Sequence, residues 1–346
     1  MSNRQELLES IAATITDYRA DDLPAPTPAH VETWINQFDA GVQLPILSEI
    51  DHVLKNTYFS LQKVAHFLKV VLKSEKLAGA DPGALWRSVR FLDIQGGGNS
   101  QRDMLALFGE LLKETHGIAI EQGGEESGAF VYLDDVVFTG NRVLHDLADW
   151  IQSDAPAAAT VHVVSMALHT GGVHYARGKI AEVARTYGKS ITVQFWSAVT
   201  LEDRKTRTYM SDVLRPVSIP EAPEVMEYVA AMKYKPELRI AGDVGRNKIF
   251  SSEAGRHVLE QEFLKAGVNI RQSCPNLGVT QRPLGHSWLE TLGFGSLIVT
   301  FRNCPNNTPL ALWVGDPWHP LFPRTTNSQA SIKRLMAMFP ERLTED

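Results

Sequence analysis

The sequence has only two cysteines among its 346 residues, Cys274 and Cys304. Each precedes a proline, and so small a number does not require a disulfide. Two free cysteines are compatible with the reducing interior of a cell. We therefore expect a cytoplasmic protein.

Long apolar runs and an excess of basic charge are also missing. No apolar run approaches the roughly 18 residues of a membrane-spanning helix. The first residues, Met1 to Glu6, do not resemble a signal peptide. The formal net charge of −6 gives no global electrostatic argument for nucleic-acid binding, although it leaves room for a local basic patch. We therefore expect no membrane partner.

Residues 129–142 carry most of the functional information in the chain. Phe130 to Leu133 is a short run of β-favouring residues that predicts a buried strand, which ends at the pair Asp134-Asp135. The turn Thr139-Gly140-Asn141 follows, and apolar residues at helical spacing then predict a helix that starts near Arg142. The two carboxylates are therefore expected at the carboxyl end of a strand, beside a helix N-terminus.

This arrangement suits a phosphorylated ribose. Open α/β sheets bind ligands beyond the carboxyl ends of their strands, and the free N–H groups and dipole of a helix N-terminus attract phosphate. Carboxylates only accept hydrogen bonds, which fits vicinal ribose hydroxyls, and a Thr-Gly turn fits a 5′-phosphate. An acidic strand-to-helix turn without a ligand is the alternative interpretation.

The same stretch resembles the phosphoribosyl-diphosphate (PRPP) signature of type I phosphoribosyltransferases. That signature is an apolar strand, two acidic residues, two or three apolar residues, Thr-Gly, and a small or hydroxyl residue. The resemblance implies that Asp134 and Asp135 position the ribose as catalytic residues and meet Mg²⁺ indirectly, as Mg-PRPP. It also implies a set of residues around the 5′-phosphate: Thr139, Gly140, Asn141 and Arg142.

Two positions depart from that signature. Arg142 stands where the family usually has a second threonine or serine. It either adds a charge-assisted phosphate contact or points outward and weakens the site. Phe138 stands where purine-specific members carry an acid, which argues against a purine-type base at this position.

A glycine-rich loop lies upstream of the signature. Val89 to Ile94 predicts a strand and Met104 to Leu112 an amphipathic helix, with the loop between them. Glycines let backbone amides approach an anion closely, although a glycine run alone more often means flexibility. In type I phosphoribosyltransferases the corresponding loop holds the pyrophosphate. The resemblance implies that role for Gly96, Gly97, Gly98, Asn99 and Ser100, with Arg102 as a further catalytic residue.

Two more strands are predicted downstream, Thr160 to Met166 and Ile191 to Trp196, with a helix between them. Strands that alternate with helices imply a parallel sheet with right-handed crossovers. His169 and His174 lie in the loop after the first of these strands. Without a cysteine or a paired acid they match no familiar zinc pattern, so we do not predict a metal there.

A candidate acceptor pocket is predicted from polar residues in two loops. His169 and Thr170 follow a strand, and Arg302 and Asn303 begin a polar, Asn- and Pro-rich loop, 302–309, between two apolar runs. Such a loop suggests a shaped surface. A rigid turn, together with a plain surface loop at His169, is the alternative interpretation.

Type I phosphoribosyltransferases carry a flexible catalytic loop before the signature strand. Here the corresponding interval, 116–128, is short and acidic, and it contains no lysine or arginine to neutralise a leaving pyrophosphate. Mg²⁺ with Arg102 or Arg142 would have to supply that charge. Otherwise the site binds its ligand without ordinary transfer chemistry.

The chain is about twice as long as a typical domain. Its pattern predicts a helical N-terminal region (1–80), a phosphoribosyltransferase-like core (81–215) and a C-terminal α+β lobe or hood (216–346). Within the first region, Ser60 is expected to cap an amphipathic helix. The predicted fold class is α/β, with a phosphoribosyltransferase-like parallel sheet flanked by helices.

Taken as a whole, the chain resembles a predicted bacterial conflict-system family of phosphoribosyltransferase-like proteins. The helical front, the core and the tail motifs 303–307 and 318–324 carry this second resemblance. Such proteins are associated with antiphage defence, and some stand in retron operons. The resemblance implies a toxin-type effector that acts on a nucleotide or a nucleic acid. Its implied partners are a reverse transcriptase with its nucleic acid, another defence-operon protein, or a second copy of the chain.

Three functions stay open at this stage. An enzyme would bind Mg-PRPP, and attack at the ribose C1′ would displace pyrophosphate through an oxocarbenium-like state. A non-catalytic nucleotide-sensing or partner-binding subunit would keep the pocket and use ligand binding to switch a complex, which the missing cationic loop favours. A nucleotide-salvage phosphoribosyltransferase is the third.

Overall fold

The structure is a computed structural model that describes residues 3–96, 100–120 and 128–324. Two compact units can be distinguished, and each is described by itself. The first, called here the sheet unit, consists of residues 58–213 and 239–249. The second, called the helical unit, consists of residues 1–57, 214–238 and 250–346.

The described residues form twelve α-helices and eight strands, five of which are two residues long. The α-helices are α1 (Arg4–Thr14), α2 (Pro28–Ile35), α3 (Ala40–Thr57), α4 (Leu61–Leu72), α5 (Glu75–Ala78), α6 (Pro82–Ser88), α7 (Ser100–His116), α8 (Asn141–Ser153), α9 (Thr170–Thr186), α10 (Pro223–Ala230), α11 (Glu253–Ser273) and α12 (Leu310–Trp313). The strands are β1 (Tyr58–Phe59), β2 (Arg90–Phe91), β3 (Ala129–Val137), β4 (Ala158–His169), β5 (Ser190–Leu201), β6 (Gln281–Arg282), β7 (Gly285–His286) and β8 (Val299–Thr300). A short 3-10 helix, Lys205–Met210, follows β5.

The sheet unit is built on four parallel strands in the order β2-β3-β4-β5. Helix α7 connects β2 to β3, α8 connects β3 to β4, and α9 connects β4 to β5. The predicted α/β fold with a parallel sheet flanked by helices is therefore confirmed. Because all four strands run in the same direction, their carboxyl ends meet at one edge of the sheet.

Helices α8 and α9 share one apolar core with the sheet. Leu147 and Trp150 of α8 and Ile180 of α9 belong to this core, together with alternate residues of β3 and β4 such as Tyr132 and Val163. The helical period of about 3.6 residues puts the apolar positions of α8 on one face, and the strand period of two does the same for β3. Helix α8 therefore buries one face, whereas β3, a central parallel strand, is buried on both.

Several elements differ from their sequence-based bounds. β3 does not end at Asp134 but pairs with β4 as far as Val137. The apolar run 293–301, which precedes the loop 302–309, forms only the two-residue strand β8, and Gly293 and Gly295 within it adopt φ values of 131° and 77°. Such left-handed backbone cannot continue a strand. β2 likewise comprises two residues of the predicted 89–94.

The grouping into units also differs from the three consecutive regions 1–80, 81–215 and 216–346. Helix α3 packs against α1 and α11 in the helical unit, whereas α4 packs against α7 in the sheet unit. The N-terminal helices are thus shared between the two units. Ser60 caps α4 as predicted, since its Oγ accepts a hydrogen bond from the Lys63 N–H at 3.2 Å.

Two glycines allow the turn after β3 to approach the start of α9 at backbone distance. A Cβ atom on Gly172 would overlap the carbonyl oxygen of Phe138, and one on Gly140 would overlap the carbonyl oxygen of Gly172. Gly140 also has φ 76°, a left-handed conformation that favours glycine. Both positions therefore require glycine, for steric reasons and at Gly140 also for its backbone conformation.

We predict that Gly172→Ala destabilises the protein by about 1–3 kcal/mol, the usual penalty for overpacking a close contact. Gly178→Ala is the matched control in the same helix, because a Cβ atom added at Gly178 would meet no other atom within 4 Å. This control should be neutral or stabilising by about 0.5–1 kcal/mol, since alanine favours the helix interior. Urea titration followed by circular dichroism measures both, and equal effects of the two changes would contradict the packing argument.

Candidate functional site

The turn between β3 and α8 is the centre of the candidate site. Helix α8 begins at Asn141, one residue before the predicted start, and Gly140 is its N-cap. Since glycine has no side chain, Gly140 offers no side-chain acceptor to the first N–H groups of the helix, and its carbonyl oxygen accepts from the Leu144 N–H at 2.9 Å. The Thr139 Oγ1 accepts only a long hydrogen bond, 3.4 Å, from the Asn141 N–H. This helix N-terminus therefore has donor groups that suit an anion.

Asp134 and Asp135 lie inside β3, three and two residues before its end. Successive side chains of a strand point to opposite faces, so the two carboxylates occupy different faces of the sheet. Asp134 is buried, with 4% exposure, and Asp135 is half-buried. The two carboxylates are therefore not equivalent, a distinction that the sequence pattern alone did not predict.

Hydrogen bonds hold both carboxylates in place. The Asp134 Oδ1 accepts from the Ser100 Oγ and from the Asp135 backbone N–H, each at 2.9 Å. The Asp135 Oδ1 accepts from the Val136 N–H at 2.8 Å. Ser100 is the first residue of α7, so it links the loop after β2 to the carboxylate pair on β3.

The environment of Asp134 favours its neutral form. Burial raises the pKa of Asp134 well above its usual range, and the neighbouring charge of Asp135 raises it further. The hydrogen bond from Ser100 opposes this rise, because it stabilises the carboxylate, but it does not outweigh burial. Asp134 is therefore a destabilised buried acid, as is common at functional sites.

Gln101, between Ser100 and Arg102, contacts the backbone at the start of the glycine-rich loop. Its side chain is fully buried, and its Oε1 accepts hydrogen bonds from the N–H groups of Ile94 and Gln95, both at 2.8 Å. This contact fixes the start of the glycine-rich loop. Gly96 lies in the described part of that loop, whereas the predicted pyrophosphate contacts at Gly97, Gly98 and Asn99 lie outside the described residues.

Arg102, predicted as a catalytic residue, lies exposed in the first turn of α7. Its Nε is 3.7 Å from the Asp93 Oδ1, and both side chains are mostly exposed. An exposed ion pair of this length contributes little to the stability of the protein. The Arg102 guanidinium can therefore turn toward another partner at a small cost in free energy. Of the predicted catalytic interval 116–128, residues 121–127 lie outside the described residues.

Arg142 lies exposed in the first turn of α8, next to the N-terminal donors. Burial raises the pKa of Asp146, one turn further along, and the positive charge of Arg142 opposes this rise. The Tyr132 hydroxyl donates to the Asp146 Oδ2 at 2.7 Å, which ties α8 to β3 below the turn. Tyr132 and Asp146 are supporting residues that the sequence interpretation missed.

His169, a predicted acceptor-pocket residue, is fully buried at the end of β4. Its Nδ1 is 3.1 Å from the carbonyl oxygen of Val137, and its ring stacks on Phe138 at a centroid distance of 5.1 Å. Burial lowers the pKa of His169, so the ring is neutral at physiological pH. In these contacts His169 supports the turn after β3.

Thr170, the second predicted pocket residue, begins α9 beside two acids that follow β5. The Thr170 Oγ1 is 2.7 Å from the Glu202 Oε1, and the Gly171 N–H donates to the Asp203 Oδ1 at 2.7 Å. Burial would raise the pKa of Glu202, but hydrogen bonds from Arg204 and Thr170 outweigh it and lower that pKa to about 2. The N-terminus of α9 is therefore already occupied by an internal carboxylate, unlike that of α8.

Arg302 and Asn303, the other two predicted pocket residues, belong to the helical unit. Asn303 exchanges backbone hydrogen bonds with Thr300, 3.0 and 3.1 Å long, and so closes a tight turn after β8. The four residues of the predicted pocket are thus divided between the two units. The structure shows a local structural role for Asn303 and assigns it no ligand.

Neither a metal cluster nor a membrane helix is found in the part of the chain that the structure describes. Within residues 3–96, 100–120 and 128–324, no group of three or more His, Cys, Asp or Glu side chains could hold a metal ion. None of the described helices is long and apolar enough to cross a membrane. Cys274 and Cys304 are both free and buried.

Comparison with known proteins gives one match. The family model described as PRTase-CE matches residues 31–324. The match begins in α2 and ends at Arg324, so it includes the turn after β3, both carboxylates and the loop after β8. No curated protein and no solved structure matches the chain.

We predict that Asp134→Asn stabilises the unliganded protein at pH 8 but not at pH 4. A carboxyl whose pKa is raised on folding holds its proton more tightly when folded, so its contribution to stability declines as the pH rises above its unfolded pKa. Asparagine keeps the Ser100 hydrogen bond and carries no charge. The Tm at pH 8 should rise by about 2–4 °C, the effect of about 1 kcal/mol in a domain of this size.

Differential scanning calorimetry at the two pH values checks this prediction. Asp149→Asn, an exposed position on α8, is the control and should change the Tm little at either pH. A loss of stability in Asp134→Asn at pH 8 would show that the buried carboxylate stabilises the fold.

Proposed function

The chain belongs to the PRTase-CE family of phosphoribosyltransferase-like proteins, and from this we propose that its sheet unit binds PRPP or a related ribose 5-phosphate nucleotide. The observation that carries the proposal is the turn between β3 and α8. There a glycine-capped helix N-terminus follows an acidic pair at the carboxyl edge of a parallel sheet. Donors for a phosphate and acceptors for a sugar thus stand a few residues apart.

The two carboxylates would have different roles in binding this ligand. Asp135, the more exposed of the pair, would accept hydrogen bonds from the ribose 2′- and 3′-hydroxyls. Asp134, buried and bonded to Ser100 and to the Asp135 N–H, would support Asp135 and connect it to the loop after β2. The 5′-phosphate would lie at the turn formed by Thr139, Gly140, Asn141 and Arg142.

The pyrophosphate would occupy the glycine-rich loop after β2. Gln101 fixes the entry of that loop through two hydrogen bonds to backbone N–H groups. Arg102 follows immediately, and its weak ion pair with Asp93 leaves it able to turn toward an anion. This geometry supports the role inferred for Arg102.

Mg²⁺ would enter with the ligand. Protein sites for Mg²⁺ commonly supply one or two carboxylates and take the remaining oxygens from phosphates and water. Among the described residues no cluster of three candidate ligands exists, and Asp135, the more exposed of the acidic pair, offers one carboxylate. This donor set fits Mg²⁺ bound as Mg-PRPP, where the ion neutralises charge on the leaving group.

A non-catalytic sensing subunit is the second candidate function. The interval 116–128 has no lysine or arginine, and Arg102 and Arg142 are the cations nearest the predicted phosphate positions in the sequence. Pyrophosphate leaves with cationic help in most enzymes. The shortage of positively charged side chains favours a sensing subunit, switched by ligand binding, over a nucleotide-salvage enzyme.

We further propose that the protein acts in bacterial antiphage defence, as the conflict-system resemblance implies. Family membership supports this context only at the level of a phosphoribosyltransferase-like protein. A reverse transcriptase, its nucleic acid or another operon protein would then hold the effector. Plating efficiency of phage on cells that carry the chain with its neighbouring genes tests the role, and unchanged plating would refute it.

We predict that Asp134→Asn combined with Asp135→Asn abolishes PRPP binding without unfolding the protein. The double variant loses both carboxyl groups, including the Asp135 acceptor proposed for the ribose hydroxyls, but keeps the shape of each side chain; a lost hydrogen bond to a charged group typically costs about 1.5–3 kcal/mol. Isothermal titration calorimetry with PRPP and Mg²⁺ measures the affinity. Asp149→Asn with Asp154→Asn, both exposed at or after the end of α8, is the matched control.

The same protein samples can then be assayed for pyrophosphate release. Binding with release in the presence of a base or nucleic-acid acceptor supports the enzyme, and binding without release across all acceptors supports the sensing subunit. Unchanged PRPP affinity in the double variant would remove the site assignment, whichever function holds.

A further prediction concerns Arg142. Arg142→Gln should weaken phosphate-bearing ligands by about 10- to 100-fold, because a charge-assisted hydrogen bond is lost. Affinity for the corresponding nucleoside should not change. Arg185→Gln, exposed in the last turn of α9, controls for the loss of one positive charge. If phosphorylated and bare ligands weaken equally, Arg142 does not contact phosphate.

A further inference from the structure

β5 is a long strand at the edge of the four-stranded sheet. It pairs in parallel with β4 along its whole length, from Ala158 opposite Ser190 to His169 opposite Leu201. It is also the last strand in the order β2-β3-β4-β5, and among the described residues no strand pairs with its other edge. An edge strand presents a row of backbone donors and acceptors that another strand can use.

The sequence of β5 lacks every usual protection of an edge. The twelve residues Ser190–Leu201 contain no lysine, arginine, aspartate, glutamate, proline or glycine. Natural proteins commonly protect exposed edges with charges, prolines, bulges or short strands. A strand of this length without such devices tends to aggregate unless something covers it.

The apolar core is also incompletely covered along this edge. Val193 and Phe195 pack against the core shared with α8 and α9 but remain half-buried, whereas Val161 and Val163 on the neighbouring β4 are fully buried. The guanidinium of Arg177 on α9 lies over the Phe195 ring at 5.4 Å and covers part of it. One more strand beside β5 would complete the burial of Val193 and Phe195.

We propose that β5 pairs antiparallel with β5 of a second copy of this chain, so that the two sheets join across a two-fold axis. Facing residues in an antiparallel pair point to the same face of the sheet. The two-fold axis must therefore lie between two copies of the same residue, which face each other across it. The carbonyl oxygen of Thr200 already accepts a hydrogen bond from the Asn247 Nδ2 at 2.8 Å. Pairing is therefore confined to the strand before Thr200.

A register centred on Phe195 uses nearly all of that open stretch. It pairs residues 191–199 of one copy with 199–191 of the other, with the two Phe195 rings facing each other beside the axis. Aromatic pairs between strands are among the more stabilising cross-strand contacts. A register centred on Trp196 would pair a shorter stretch, because Trp196 lies closer to Thr200, whose carbonyl oxygen is already hydrogen-bonded to Asn247.

A second copy fits this edge better than an unrelated strand. An uncharged strand meets itself without repulsion between like charges, and a two-fold pairing buries both open edges at once. The opposite edge of the sheet is β2, only two residues long, so the assembly closes as a dimer and does not grow further. The inference is independent of ligand binding at the turn after β3.

The test is the oligomeric state in solution, measured by sedimentation velocity over a range of concentrations. The wild-type chain should be a dimer. The double variant Gln194→Lys with Ala198→Lys puts new charges at exposed β5 positions, and in the dimer these charges lie diagonally across the two-fold axis. We expect its dimer to be weakened about tenfold or more, since like charges across strands repel.

A charge-reversal mixture separates self-pairing from a folding defect. Gln194→Glu with Ala198→Glu should also be monomeric, and mixing it with the lysine variant should restore a dimer. Gln152→Lys with Gln272→Lys, at exposed helical positions, should stay dimeric. A monomeric wild-type chain, a dimer unaffected by the β5 charges, or folded monomers that do not recombine on mixing would each overturn the proposal.

Discussion

The backbone contact between the turn after β3 and the first turn of α9 is the constraint on which the candidate site depends. A side chain at Gly172 would overlap the carbonyl oxygen of Phe138, so the two segments can approach only where one of them has no Cβ. His169 precedes the same contact and supports it, since its Nδ1 lies near the Val137 carbonyl oxygen and its ring stacks on Phe138. The turn is thus held by backbone packing, and its own polar groups are not needed to build it.

The acidic pair illustrates the usual conflict between stability and function. Burying Asp134 beside Asp135 favours the neutral acid, and one hydroxyl from Ser100 compensates only in part. A fold selected for stability alone would place asparagine or an apolar residue there. In the proposed function, a sugar ligand that donates hydrogen bonds to the pair would offset part of the free-energy cost of burying Asp134.

The sequence was sufficient for the parallel sheet and for the position of the turn, because short apolar strands, a Thr-Gly turn and a periodic helix are local signals. It was insufficient for features that depend on how the strands pair with one another. Only the ladder with β4 shows that β3 continues to Val137, and only then do Asp134 and Asp135 separate to different faces. Tyr132 and Asp203 were missed for the same reason, since their roles come from partners that are distant in the chain.

Comparison of α8 and α9 within the sheet unit identifies which helix N-terminus is left for a ligand. Both helices start directly after a parallel strand, and both therefore concentrate N–H groups at the carboxyl edge of the sheet. At α9 the chain supplies the anion itself, because the Asp203 carboxylate accepts from the Gly171 N–H and Glu202 is held ionised by Arg204. At α8 the N-cap is glycine and a cation, Arg142, replaces the expected hydroxyl residue. A positive helix end with an added cation and no capping side chain at its N-cap suits an external anion, and this is the anion site of the proposed function. A phosphate carried by a ribose would therefore bind at α8 in preference to α9.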